Sequence, residues 1–104
     1  MHVVTNRVFV HPDWHEEFEQ RFKNRAGQID KQEGFLRMLI LKPCSDDVPY
    51  LVHTEWESVE AFRNWIGSED FKIAHQNPMP EEAFSAKGAL EQHTVIIEAS
   101  TSGS

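Results

Sequence analysis

Trp56-Glu57-Ser58-Val59-Glu60-Ala61-Phe62-Arg63-Asn64-Trp65 turns a strand into a helix. Ahead of it, Tyr50, Val52, Thr54 and Trp56 alternate onto one face of a run from Tyr50 to Trp56, the two-residue period of a strand. Ser58 suits an N-cap, where a hydroxyl accepts from an otherwise unpaired amide. The helix it starts runs through Ile66 and brings Ala61, Phe62 and Trp65 to one side. After Gly67, Ser68 caps a second short helix in which Phe71, Ala74 and His75 recur at three- and four-residue spacing.

Upstream, His2 to Val10 alternates as well: Val4, Asn6, Val8 and Val10 on one face, Val3, Thr5, Arg7 and Phe9 on the other. Pro12 fits a first helical position, and Trp14, Phe18, Phe22, Ala26 and Ile29 form an apolar stripe. The spacing predicts a helix to about Gln32, with Gly34 as its stop. A second strand covers Phe35 to Lys42, and Pro43 through Pro49 is turn chemistry. Downstream, Gln76 to Gln92 contains Pro78, Pro80 and Gly88 and reads as a long excursion, part-helical around Glu81 to Phe84. A β-branched last strand is expected from Thr94 to Glu98.

Strand, helix, strand, strand, helix, strand is an α+β order, that of a ferredoxin-like domain with a four-stranded antiparallel sheet. It spans residues 1–98, with 99–104 as a flexible polar tail. Helices on one side leave the other sheet face bare, and both faces carry large apolar residues. The bare face is expected to meet a second copy across a two-fold axis, giving a homodimer.

Composition bounds the function. The 104 residues make one small domain, and a formal charge of −7 disfavours nucleic acid and anionic membrane surfaces as partners. A single cysteine, Cys44, excludes an intrachain disulfide and suits a reducing compartment. No apolar run reaches membrane-spanning length, and the start lacks signal-peptide layout, so a cytoplasmic location is expected. There is no Gly-X-Ser-X-Gly elbow, Gly-rich phosphate loop or dinucleotide fingerprint.

Three residues stand out. Asn6 puts an amide into the stripe of Val4, Val8 and Val10, so it either bonds neighbouring backbone or faces a cavity. Trp65 is a flat indole at core spacing. His75 ends a short amphipathic helix; one imidazole is usually structural, yet one suffices to ligate heme iron, whereas zinc wants three or four ligands. His11 and His15 lie four apart near an exposed helix start, and Glu16, Glu17 and Glu19 form a solvated face. Without a Cys-X-X-Cys-His motif, heme would be held non-covalently.

The Asn6 strand, the segment Arg21-Phe22-Lys23-Asn24-Arg25, the turn Glu33-Gly34-Phe35 and the Trp56–Trp65 string ahead of Ala74-His75 together resemble the IsdG-type heme-degrading monooxygenases. These are dimeric α+β barrels of the antibiotic biosynthesis monooxygenase superfamily, and the resemblance covers roughly residues 3 to 98. It implies that His75 is the axial ligand of heme iron and that Asn6 lies on the distal side, near iron-bound dioxygen or the heme face. Trp65 would press the macrocycle out of plane. Arg21 or Arg25, the latter favoured, would meet the propionates, and Phe22, Val52 and Phe62 would line the pocket. The implied reaction is reductive, O2-dependent opening of the porphyrin with release of iron. Its electrons would come from an external donor, a reductase or a small reductant. Two alternatives stay open: a cofactor-independent monooxygenase of a quinol-like aromatic with His75 as base, and a non-catalytic heme-binding protein.

Overall fold

The structure, a computed structural model, describes residues 1–25 and 28–101. Four strands, β1 (His2–Val8), β2 (Phe35–Leu41), β3 (Tyr50–Trp56) and β4 (Ala89–Thr94), form one antiparallel sheet in the order β2-β3-β1-β4. Three α-helices, α1 (His15–Arg25), α2 (Val59–Ile66) and α3 (Glu69–Ala74), lie among them in chain order.

The strand-to-helix string folds as its pattern requires. Trp56 is fully buried and donates its indole N–H to Thr54 Oγ1 at 3.0 Å, and Thr54 donates to the Val4 carbonyl at 3.3 Å. Ser58 caps α2 by accepting from the Ala61 amide at 3.2 Å. Ser68 caps α3 in the same way, accepting from the Phe71 amide at 3.1 Å. Val4, Trp56, Ala61, Phe62 and Trp65 form one buried cluster, and Val10, Phe18 and Tyr50 a second beneath α1. Between them, Asn6 pairs with Val52 and Leu90 across the sheet.

Several boundaries differ from the sequence expectation: β1 ends at Val8, β2 ends at Leu41, and α1 starts at His15 after a 3-10 turn over Pro12–Trp14. The helix expected to reach Gln32 ends at Arg25, and a separate 3-10 turn covers Ile29–Lys31. Ala26 and Gly27, which that helix was expected to include, lie outside the described residues. Gly34 is therefore not the stop of that helix. It turns the chain into β2 at φ 83, with its Cα hydrogen against Ala61, where an added Cβ would come within 2.6 Å of the Ala61 Cβ.

The last strand also lies earlier than expected, at Ala89–Thr94 instead of Thr94–Glu98. Pairing with β1 dictates this: Ala89 to Thr94 match Arg7 to His2, and Val95 bonds the Met1 carbonyl at 3.0 Å. Past that bond Ile96 and Ile97 have no strand beside them and are 87% and 81% exposed, despite their β-branched shape. The excursion before β4 is tied down. His11 and Ser85 donate backbone bonds to Ala83 and Phe9, and Val10 bridges Phe84 after β1 has ended at Val8. A 3-10 turn at Glu81–Ala83 matches the partial helix expected there.

The sheet face away from the helices carries Leu39, Leu51, Arg37 and Glu55. On it Thr5 bonds His53 at 3.3 Å, His53 bonds Glu55 at 2.8 Å, and Arg37 pairs with Glu55 at 2.9 Å.

Candidate active site

Sheet, α1 and the α2–α3 pair enclose a cavity of about 410 Å³ between the two clusters. Its size is that of a small-molecule site. Seven residues singled out in the sequence line this one space: Asn6, Arg21, Phe22, Val52, Phe62, Trp65 and His75. Arg25 closes α1, but its side chain lies outside what the structure describes.

Asn6 stands on the floor of the cavity, on the helix-facing side of β1 beside Val4 and Val8. Its side-chain amide has no hydrogen-bond partner among the described residues, so its donor and acceptor are available to whatever fills the space. Of the two sequence options, the cavity is the one realised.

Trp65 comes from the buried side of α2, 6% exposed, and presents one part of its indole to the cavity. His75 is the C-cap residue of α3. Its Nδ1 lies 2.8 Å from the Phe71 carbonyl. A carbonyl only accepts, so Nδ1 carries the proton and Nε2 keeps its lone pair, with no partner among the described residues. An imidazole fixed through one nitrogen and open at the other is the arrangement that metal-ligating histidines adopt. Among the described residues no three His, Cys, Asp or Glu side chains gather as a metal cage, so this donor set suits a metal that brings its remaining ligands with it.

Arg21 reaches across from α1. It is held by Glu17 at 3.0 Å and donates to the Asn77 carbonyl, which joins α1 to the segment after α3. It is the one described cation on a wall otherwise built from Phe18, Phe22, Met38, Met79 and Leu90.

Several of these lining residues were not legible in the sequence. Pro78, Met79, Phe84 and Leu90 all belong to the stretch read as an excursion, and they close one side of the cavity. Phe71 was visible only as one member of a helical stripe; its ring lies 4.1 Å from the His75 imidazole and 5.4 Å from Trp65. A turn of prolines carries no periodicity, and ring contacts through a helix end leave no pattern of their own.

The ionisable groups with displaced pKa values lie outside the cavity. Tyr50 donates to Glu19, which also pairs with Lys42 at 3.0 Å. The Tyr50 and Lys42 bonds hold the Glu19 carboxyl below its ordinary range, while burial and then Glu19 push the Tyr50 phenol up. Burial pushes Glu55 up, but bonds from His53 and Arg37 outweigh it and leave the carboxyl below its ordinary range.

Known proteins share this architecture. Residues 1–77 match the family model described as antibiotic biosynthesis monooxygenase. A heme oxygenase (staphylobilin-producing) from Staphylococcus haemolyticus strain JCSC1435 is 37% identical over 79 residues, which cover 74% of this chain and 75% of that protein. The heme-degrader MhuD from Mycobacterium tuberculosis, solved with two hemes in its active site, is 28% identical with a TM-score of 0.79, covering 96% of this chain and all (100%) of that one. A mutant of SnoaB, a cofactor-independent oxygenase from Streptomyces nogalater, is 25% identical with a TM-score of 0.73, over 93% of this chain and 94% of that one. With the match over most of its length and a relative above a third identical, the chain belongs to the antibiotic biosynthesis monooxygenase family, in its IsdG-type branch.

Proposed function

We propose that this protein is a heme-degrading monooxygenase that takes heme as its substrate and opens the porphyrin with O2 and electrons from an external donor, releasing iron. The observation that carries this reading is the imidazole of His75, tied through Nδ1 and open at Nε2, in one cavity with Trp65 and an unpartnered Asn6 amide. Bound heme supplies an iron centre able to activate oxygen. The protein then has four tasks, and each has a candidate. His75 Nε2 would ligate the heme iron. Trp65, backed by the buried cluster, would pack against the macrocycle and shape it. Asn6 offers a hydrogen bond over the reacting face. Phe22, Val52 and Phe62 keep the ring in an apolar wall that excludes water.

The propionates need cations at the rim. Arg21 is the described candidate, releasing the Asn77 carbonyl to do so, and Arg25 stands one turn further along α1. The chain has no flavin or iron–sulfur motif, so a separate reductase or small reductant provides the electrons. The open sheet face, with Leu39 and Leu41 exposed, supports a homodimer. No helix among the described residues is long and apolar enough to cross a membrane.

The test is an anaerobic hemin titration followed by ascorbate and air in the presence of catalase. A saturable Soret band that bleaches with release of chelatable iron, and is absent in His75→Ala, is the expected result. A stable band that never bleaches with any reductant leaves a heme binder. No specific band at all turns the reading toward oxidation of a quinol-like aromatic without cofactor.

A further inference from the structure

His75 is an awkward place for a metal ligand. It is exposed, and it caps a helix of only six residues, too short to be stable by itself. A ligand with loose torsions spends affinity on ordering its ring. Something must hold the imidazole, and every contact the structure gives that ring leads to one residue.

We propose that Phe71 is a positioning residue, whose carbonyl and ring together fix the His75 imidazole to the buried Trp65, so that ligand and indole form one rigid unit. The inference rests on the heme reading above and assigns the residue that aims its ligand. Phe71 precedes His75 by one helical turn, so the two side chains share a face. Its carbonyl takes both N–H groups of His75: the backbone amide at 3.1 Å and Nδ1–H at 2.8 Å. Its ring centroid lies 4.1 Å from that of the imidazole, tilted by 30°, a close ring-to-ring contact. The same ring stands edge-on to Trp65, 5.4 Å away at 85°. Trp65 in turn packs with Val4, Trp56 and Phe62, where nothing can shift without opening the core. The hydrogen bond sets the tautomer, the stack sets the plane of the ring, and Trp65 anchors both.

Phe71→Leu isolates this role. Leucine is a strong helix former and keeps the carbonyl, but it has no flat face on which an imidazole can stack. The first readout needs no heme. At a pH where the ring is neutral, imidazole 15N shifts should show a single Nδ1–H tautomer for His75 in the wild type and a tautomer mixture in Phe71→Leu, where a ring no longer held by the aromatic contact turns away from the carbonyl. The second is hemin affinity, expected to fall about tenfold in Phe71→Leu, the scale of a lost aromatic pair. In a His75→Ala background the same substitution should change residual hemin affinity by less than about twofold, since it has no ligand left to aim. Phe71→Tyr, which keeps the stack, should restore tautomer and affinity together.

An unchanged tautomer in Phe71→Leu overturns the proposal. So does an equal affinity loss with and without His75, because Phe71 would then act by packing on the porphyrin itself. Should Phe71→Leu fail to fold, Phe71→Met is put through the same readouts with the same criteria. A wild type that binds no hemin would sink the heme reading while leaving the tautomer experiment to decide the role of Phe71.

Discussion

Asn6 and Trp65 divide the work of the cavity in a way that single substitutions can separate. The side chain of Asn6 bonds no described residue, while its backbone pairs within the sheet. Asn6→Ala should therefore shift stability by less than about 0.5 kcal/mol in urea unfolding, like other substitutions away from packed features, while turnover of hemin falls. Trp65 is the opposite case, a packed indole in contact with Phe71 and the core. Trp65→Phe keeps an aromatic wall but shortens it, so turnover should fall more than hemin affinity; equal losses in steady-state and binding assays would refute that division. Asn6 was legible in the sequence as an amide in a valine stripe, whereas Trp65 and His75 fit their helical spacing and stood out only through the family resemblance. The partners that aim the site's side chains were not legible. Phe71 holds His75 through its carbonyl, as Asn77 holds Arg21, and every residue has a carbonyl.

The elements that hold the site were legible where a side chain closes them. Ser58 and Ser68 both cap as their positions suggested, and β3 and α2 begin and end where the alternation does. Ser68→Ala should cost about 1 kcal/mol, as lost N-caps do. Because α3 carries the proposed ligand, the same change should weaken hemin binding, as titration would show. Gly34 is a stricter constraint: its φ of 83 and its 2.6 Å approach to Ala61 penalise any side chain twice. Gly34→Ala is expected to destabilise by at least about 2 kcal/mol, combining a strained backbone with overpacking, measurable by the urea midpoint. The misplaced elements were those set by pairing. Local composition favours a strand at Val95–Ile97, yet β1 lies beside Ala89–Thr94, and hydrogen-bond partners decide the outcome over β-branching.

At the scale of the whole molecule, the core is two clusters separated by a space, so a bound ring would complete it. Hemin should raise Tm, and more so with concentration, by linkage. The charges set the pH limits. Glu19 and Glu55 titrate below the ordinary glutamate value of 4.5, so in the unfolded chain they bind protons first. Their stabilisation is complete above that value and lost as pH falls through the folded pKa; Tyr50, raised above 10, loses its contribution as pH rises. Urea midpoints measured against pH should decline at both ends, and Glu55→Gln should flatten the acid side. If two copies pair through the bare sheet face, Leu39→Asp should shift sedimentation to the monomer, placing an unpaired charge in that contact.

The brevity of α3 has one more consequence. Six residues open cheaply, and local openings of that kind occur far below the cost of global unfolding. A ring cut into a linear chain no longer fits a flat slot and must find a way out. On the proposed reading, the helix end that would hold the iron is also the element that opens most cheaply, and a linear product would leave there.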